Sequence, residues 1–202
     1  MDTPEDFARE EAYADLVDEI SQQAIDEFTS ARLRSYYLSN PDLAVGAVAL
    51  YREAKTLVSM SPSAALVLFV TSIEVGLKVA LLKPVVYGLV HNESVADLVS
   101  NLAVKHNGLD RFTSLLARLL QEYGQIDFEV FTIEGHSKTL WEEFTILQNG
   151  RNGVLHRAEP ATPELAQLAQ DVAVMFLGNY LNSVLQGLGL KLVKGGHIEN
   201  AA

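Results

Sequence analysis

The residues best suited to chemistry lie in a polar segment, Gln148–Arg157, between two apolar-periodic regions. The segment carries a guanidinium at Arg151 and an imidazole at His156. Arginine stays charged at physiological pH and binds phosphate oxygens through a fork of N–H donors, whereas histidine gains and loses a proton near neutral pH. The two side chains therefore suit phosphate chemistry, in which one holds the phosphate and the other transfers a proton.

The spacing of these two residues leaves two interpretations open. On an unbroken α-helix, side chains five positions apart project about 140° apart around the axis, so they do not share a face. Gly150 and Gly153 weaken a helix, which favours a bend that turns both side chains into one cleft, or a site completed by a second chain. Alternatively, the segment is a plain helix C-cap, with cations beside the negative helix end and glycine supplying the turn.

Apolar periodicity in the rest of the chain predicts an all-α fold that positions this segment. Ser63–Leu82 is apolar on nearly every face, which indicates a helix through the centre of a bundle, ended or kinked by Pro84. Thr162–Leu188 is the predicted closing helix. An N-cap residue followed by proline is a favoured helix start. Such pairs occur at Asn40-Pro41, which opens a helix to about Met60, and at Ser61-Pro62 and Thr162-Pro163.

The remaining segments are an N-terminal helix, shorter elements and a tail. Glu5–Thr29 has an apolar stripe opposite a largely acidic face, which predicts an exposed amphipathic helix whose acidic side faces solvent or a partner. The expected domains are the acidic helix at residues 1–30, a helical bundle at residues 31–190 and a loose tail at residues 191–202. Shorter elements are predicted at Arg32–Tyr37 (a connection), Glu93–Val104, Leu109–Tyr123 and His136–Asn149 (helices), and Ile126–Ile133 (a strand or packed loop).

The composition excludes several kinds of site. The chain has 202 residues and no cysteine, which excludes disulfides, thiolate metal sites and cysteine nucleophiles. No Walker-type loop, Rossmann fingerprint or nucleophile elbow occurs. Apart from a loose pair of His91 with Glu93, the other histidines lack further ligands at metal-binding spacing. These are His91, His106, His136 and His197. We therefore expect neither a metal nor a cofactor.

A cytoplasmic location is expected, because the lack of cysteine fits a reducing cytoplasm and no export signal is predicted. The formal net charge of −11 opposes nonspecific binding to a polyanion, although the acidic excess is concentrated before Met60 and leaves room for a local basic site. The acidic start, Met1–Asp6, lacks the basic-then-apolar order of a secretory signal. Ala64–Val90 is hydrophobic enough to resemble a membrane span, but charged residues and a proline interrupt it, so a buried core helix is favoured and no membrane segment is expected.

The polar segment also resembles a known motif. Arg151-Asn152-Gly153-Val154-Leu155-His156 is similar to the R-N-x-x-x-H form of the motif found in HEPN domains (higher eukaryotes and prokaryotes nucleotide-binding). In that family the motif also follows an amphipathic helix and precedes a long closing helix. An earlier apolar helix often carries an acidic residue followed by a lysine, as Glu74 and Lys78 do here. The resemblance covers roughly Pro41–Leu188 and implies a HEPN-like bundle of about five to seven helices.

The resemblance implies a metal-independent endoribonuclease, typical of toxin or defence effectors, in which two copies of the motif face each other across a homodimer. Arg151 would then hold the scissile phosphate, Asn152 would orient the site, and His156 would act as general acid or base. Glu74 and Lys78 have a supporting role in this interpretation, whereas by spacing alone they form an ordinary i,i+4 ion pair. The implied partners are RNA and a second copy of the chain.

Two other functions remain open. One is a non-catalytic HEPN-like module of a toxin–antitoxin or similar two-component system, which binds RNA or binds a protein partner through the acidic N-terminal helix. The other is a nucleotide-modifying enzyme that uses Arg151 and His156 to hold a nucleoside phosphate. Two further cations, Lys138 and Arg157, are candidates for phosphate contacts, although each is also an ordinary surface charge.

Overall fold

Helices account for most of the residues that the structure describes. The structure, a computed structural model, describes residues 29–89, 121 and 130–201. Its α-helices are α1 (residues 29–39), α2 (Val45–Leu57), α3 (Pro62–Val75), α4 (Lys83–Leu89), α5 (Leu140–Arg157), α6 (Pro163–Val174) and α7 (Leu181–Gly187). Two π-helical segments are π1 (Gly76–Leu82) and π2 (Met175–Tyr180). An antiparallel hairpin is formed by β1 (Leu190–Leu192) and β2 (Ile198–Asn200). The predicted all-α class is confirmed for these residues.

Some predicted elements cannot be compared with the structure. Three predicted helices lie almost entirely outside the described residues: Glu5–Thr29, Glu93–Val104 and Leu109–Tyr123. Of the strand or packed loop predicted at Ile126–Ile133, only residues 130–133 are described. They form a loop, with one bridge between Thr132 and Thr139.

The junction of α1 and α2 differs from the prediction. Arg32–Tyr37, predicted as a connection, lies within α1. Asn40 ends this helix instead of starting the next one, because its backbone N–H and its side-chain Nδ2 both donate to Tyr36 O at 3.0 Å. A turn follows, and α2 begins at Val45. Asparagine bonds readily to nearby backbone groups at either end of a helix, which makes an Asn-Pro pair ambiguous.

The predicted central helix is confirmed and is longer than expected. Helical backbone runs from Pro62 to Leu89 through α3, π1 and α4. Its buried apolar side chains include Ala65, Leu66, Phe69, Val70, Ile73, Leu77, Ala80, Leu81 and Leu82. Within Pro62–Tyr87, one window has mean hydropathy 2.1 and is long and apolar enough to cross a membrane, and 61% of it is buried inside the bundle. The helix therefore supplies much of the core of the described part of the chain.

Pro84 does not end this helix, because a tyrosine compensates for its missing amide. Proline has no N–H, so the α-helical hydrogen bond from residue 84 to Ala80 O cannot form. The hydroxyl of Tyr37 on α1 donates to Ala80 O instead, at 2.6 Å. Burial raises the pKa of this hydroxyl above its ordinary value, because the charged form would lose its hydration. The wider turns of π1 end at Leu82, two residues before the proline, and π-bulges and prolines are both common places of helix irregularity.

The predicted closing helix is also confirmed. It runs from Pro163 to Gly187, with π2 in its middle. Thr162 Oγ1 accepts a hydrogen bond from the backbone N–H of Leu165 at 3.2 Å, and Pro163 stands in the first turn. The cap-plus-proline signal therefore located this helix start correctly.

The end of the chain differs from the loose tail predicted at residues 191–202. Residues 190–200 form the hairpin, with Leu192 paired to Ile198. Leu190 and Ile198 are buried, and the N–H of Ile198 donates to Pro41 O at 2.8 Å. The glycines that suggested looseness, Gly195-Gly196, both have positive φ and form the turn between the strands. The hairpin is therefore part of the packed fold.

Candidate functional site

Helix α5 carries the polar segment and is held firmly at its start. The N–H of Glu142 donates to Thr139 Oγ1 at 3.3 Å, and the N–H of Thr139 donates to Glu142 Oε2 at 2.9 Å. This reciprocal capping box places the helix start at Leu140 instead of His136, where it was predicted. The buried side chains of Leu140, Phe144 and Leu147 fix the helix against the core.

The polar segment is helical throughout, so the bend predicted at Gly150 and Gly153 is not formed. Helix α5 continues unbroken to its cap at Ala158, whose φ of 55° is left-handed. Glycine at position 150 serves close packing, because a Cβ there would lie 2.8 Å from Leu165 Cδ2 and 3.3 Å from Leu66 Cδ2. Gly150 therefore lets α5 approach both α6 and α3, at a cost in helix propensity of about 1 kcal/mol relative to alanine.

The guanidinium of Arg151 is held by two side chains. Its Nη1 donates to Glu74 Oε2 on α3 at 2.6 Å, in an ion pair whose side chains are 20% and 19% exposed. Its Nε and Nη2 donate to Asn152 Oδ1 at 3.3 and 3.1 Å. A guanidinium has five N–H donors, so two remain for a ligand. Asn152 and Glu74 thus both contact Arg151 and orient it.

Both carboxylate oxygens of Glu74 accept hydrogen bonds from side chains of α5. Its Oε1 accepts from Gln148 Nε2 at 3.1 Å, while Oε2 accepts from Arg151. The ion pair expected between Glu74 and Lys78 is not formed, because the carboxylate faces α5, and half-buried Lys78 makes no ion pair with any described residue. Sequence reasoning missed Gln148 as a site residue. The three-residue spacing between Gln148 and Arg151 could have revealed it, because this spacing puts both side chains on one side of a helix.

His156 lies on a different side of α5 from Arg151. Because the helix is unbroken, the two side chains project about 140° apart. Arg151 faces α3, whereas His156 is exposed and the preceding Leu155 is 55% exposed. His156 makes no hydrogen bond or ion pair within the part of the chain that the structure describes. A single chain therefore does not bring the guanidinium and the imidazole into one cleft.

Arg157 belongs to the cap of the helix. Its Nε and Nη2 donate to the two carboxylate oxygens of Glu159 at 2.8 and 2.9 Å. These bonds raise the pKa of Arg157 and lower that of Glu159. The N–H groups of Ala158 and Glu159 both reach Gly153 O. The C-cap interpretation thus accounts for Arg157, which keeps three of its five N–H donors for a phosphate contact, but it does not account for Arg151.

Lys138 lies at the opposite end of α5. It is exposed and precedes Leu140, the first residue of the helix. With a rise of about 1.5 Å per residue, the start of α5 lies about 17 Å from Arg151 and about 24 Å from His156 along the axis. Within one chain Lys138 therefore lies far from Arg151 and His156, and its phosphate contact stays a prediction.

A contact between a histidine and a buried glutamate at the start of α5 was not predicted. Glu143 is 5% exposed, and its Oε1 lies 2.8 Å from His136 Nδ1. His136 belongs to the loop that the bridge between Thr132 and Thr139 closes. A buried carboxylate requires a partner to offset its lost hydration. This pair therefore ties the loop to α5 and helps to fix the start of the helix that carries the site.

Metal ligands are not clustered in the described part of the chain. No group of three or more His, Asp or Glu side chains within residues 29–89, 121 and 130–201 is arranged to hold a metal ion. An open apolar groove of about 280 Å³ lies among α2, the closing helix and β1, lined by Val48, Tyr51 and Val174 among others. None of the candidate site residues lines it. The polar cluster of Glu74, Gln148, Arg151 and Asn152 is therefore the candidate site.

Comparison with known proteins assigns no family to the chain. No family model, curated protein or solved structure matches it. The similarity to HEPN domains therefore depends on the residues of the Arg151–His156 motif and on their helical setting.

Proposed function

We propose that the chain is a metal-independent endoribonuclease of HEPN type, a toxin or defence effector, in which Arg151 of one copy and His156 of another act on the same phosphodiester. The main observation behind the proposal is that these two side chains project from different sides of one unbroken helix. Arg151 retains two donors for a ligand, and His156 is exposed. A second copy related by a twofold axis supplies an imidazole to each guanidinium.

The surface around His156 favours such a contact. Leu155 is a large apolar side chain that is 55% exposed, and it directly precedes His156. Apolar side chains at the centre of an interface contribute much of its stability, and a twofold axis would bring two such side chains together. Burial of Leu155 against the partner would therefore hold the imidazole close to the other chain.

The reaction requires no metal ion. The imidazole of His156 removes the proton of a ribose 2′-hydroxyl, the 2′-oxygen attacks the adjacent phosphorus, and the bond to the 5′-oxygen breaks. The leaving oxygen takes a proton from water, and the other product is a 2′,3′-cyclic phosphate. The guanidinium of Arg151 stabilises the additional negative charge on the phosphate oxygens. Asn152 orients the guanidinium through the hydrogen bonds described above.

Cleavage of a mixed RNA pool in the presence of EDTA tests this assignment. Arg151→Ala and His156→Ala are each expected to abolish cleavage, whereas Lys138→Ala retains it because Lys138 lies at the other end of α5. A cyclic phosphate on the product supports attack by the 2′-hydroxyl. Cleavage that survives in either of the first two variants rules out the assignment.

A mixing experiment tests whether the site is shared between copies. A mixed dimer of Arg151→Ala with His156→Ala contains one intact pair, namely the guanidinium of one chain and the imidazole of the other. Random exchange of subunits is therefore expected to restore about a quarter of the native activity. If each chain formed its own site, the mixture would stay inactive at every ratio.

A non-catalytic module that binds RNA or a partner protein is the second candidate. It is favoured because both arginines of the polar segment are paired with carboxylates, Arg151 with Glu74 and Arg157 with Glu159. The formal net charge of −11 also lowers the affinity for a polyanion. Purified chain that leaves labelled RNA intact at low salt supports this candidate over the nuclease. Retention or loss of RNA binding then distinguishes an RNA-binding module from a protein-binding one.

A further inference from the structure

The arginine that is proposed to hold phosphate already holds a carboxylate. Glu74 Oε2 accepts from Arg151 Nη1 at 2.6 Å, and the remaining contacts of the cluster come from the uncharged amides of Gln148 and Asn152. The charges of Glu74 and Arg151 offset each other. A phosphate that binds the two remaining donors therefore shares one guanidinium with a second anion.

Glu74 cannot easily leave when an anion arrives. Its two oxygens are bonded to two different side chains of α5, and only 19% of the side chain is exposed. Turning the carboxylate away would break both hydrogen bonds and leave a half-buried charge without a partner, which is unfavourable. The carboxylate therefore stays in place and repels the incoming ligand in proportion to the charge of that ligand.

We propose that Glu74 makes the Arg151 site selective for phosphodiesters, which carry one negative charge, over phosphate monoesters, which carry two. The inference rests on the proposed function, since it concerns the same phosphate site. Internal linkages of RNA are diesters, whereas chain ends and mononucleotides carry monoesters. Glu74 thus directs the site toward internal linkages, which is the specificity that an endonuclease requires.

A comparison of two uncleavable probes tests this specificity. The probes are a 2′-deoxy dinucleoside monophosphate, which has one diester, and the matching deoxynucleoside 5′-monophosphate, measured by calorimetry at low salt and about pH 7.5, where the monoester is mostly a dianion. The native chain is expected to bind the diester at least as tightly as the monoester. In Glu74→Gln, which retains a side chain of the same shape, the ratio of affinities shifts about tenfold toward the monoester.

Two control variants isolate the role of Glu74. Glu53→Gln makes the same change in net charge on an exposed position of α2, and it is expected to leave the ratio unchanged. The double variant Glu74→Gln with Arg151→Ala removes the guanidinium, and it is expected to lose the shift. A folded Glu74→Gln whose ratio equals that of the native chain, or that binds neither probe, overturns the proposal.

The native chain alone gives a second measurement in case Glu74→Gln does not fold. Tighter binding of the monoester than of the diester at low salt contradicts the proposal. The two proposals also fail separately. Absence of RNA cleavage removes the nuclease but leaves the charge selectivity intact, whereas an unchanged affinity ratio removes the selectivity and leaves cleavage unaffected.

Discussion

At the scale of single residues, the two arginines of the polar segment form ion pairs with glutamates in different environments. Arg151 and Glu74 lie 77 positions apart in sequence, join α5 to α3, and are about one-fifth exposed. Arg157 and Glu159 are two positions apart and more than half exposed. Solvent and salt screen an exposed pair strongly, whereas a half-buried pair is screened less. The Arg151–Glu74 pair therefore contributes both to the site and to the contact between two helices.

A double-mutant cycle measures this difference. Arg151→Ala, Glu74→Ala and their combination are expected to give a coupling free energy of about 1–2 kcal/mol in urea unfolding, because either single change leaves a half-buried charge without its partner. The same cycle at Arg157 and Glu159 is the matched control and is expected to give a smaller coupling, since that pair is solvated. A larger coupling at the exposed pair would contradict the role assigned to Glu74.

The hydrogen bond from Tyr37 to Ala80 O yields a second prediction for a single residue. Tyr37→Phe is expected to lower the free energy of unfolding by about 1–3 kcal/mol, because a buried carbonyl loses its donor. Pro84→Ala supplies the missing amide in the same region of the helix. The cost of Tyr37→Phe is therefore expected to be smaller in the Pro84→Ala background. Equal costs in both backgrounds, measured by urea unfolding, would show that proline does not create the need for the hydroxyl.

For the helices, the two glycines of α5 have different surroundings despite their proximity. A Cβ at Gly150 would meet the side chains of partly buried Leu165 and buried Leu66. A Cβ at Gly153 would instead meet the ends of the Glu159 and Arg157 side chains, which can move. Glycine therefore allows close helix packing at position 150, whereas position 153 can take a larger side chain more easily.

Alanine substitutions distinguish these two positions. Gly150→Ala is expected to destabilise the fold by about 1–3 kcal/mol, because overpacking outweighs the gain in helix propensity. Gly153→Ala is expected to be neutral or to stabilise by up to about 1 kcal/mol, because its neighbours can shift. Thermal and urea unfolding followed by circular dichroism measure both effects. Stabilisation by Gly150→Ala would contradict the close approach of α5 to α3 and α6.

For the molecule as a whole, the C-terminal hairpin packs against α1 and the turn before α2. Besides the hydrogen bond from Ile198 to Pro41, His197 Nδ1 lies 2.6 Å from Asp42 Oδ1. Arg34 on α1 donates to the side chain of Asn200. These contacts connect β2 with both α1 and the turn before α2. The hairpin therefore packs at the junction of α1 and α2.

Adjacent residues of β2 test this role. Ile198 is 2% exposed, so Ile198→Asp is expected to lower the free energy of unfolding by about 3 kcal/mol or more, through lost packing and a buried charge. Glu199, its exposed neighbour, gives the matched control Glu199→Gln, which is expected to have little effect. A loose tail would tolerate both changes equally. Equal melting temperatures for the two variants would therefore contradict the packed hairpin.

Signals that involve only neighbouring residues determined the class of fold and revealed the motif from Arg151 to His156. The apolar character of Ser63–Leu82 and the capping residues at Thr162-Pro163 predicted helices that are present, because periodicity and capping depend on residues within a few positions of each other. The motif from Arg151 to His156 was visible for the same reason. Since these signals are local, they could not say which residues contact the motif from elsewhere in the chain.

Tertiary structure decided the environment of the motif. Whether Gly150 bends the helix or packs it depended on Leu66 and Leu165, which are distant in sequence. The pairing of Arg151 with Glu74 instead of Glu74 with Lys78 likewise depended on the approach of α5 to α3. Side chains choose partners according to the surfaces that packing brings together, and that arrangement is a property of the whole fold.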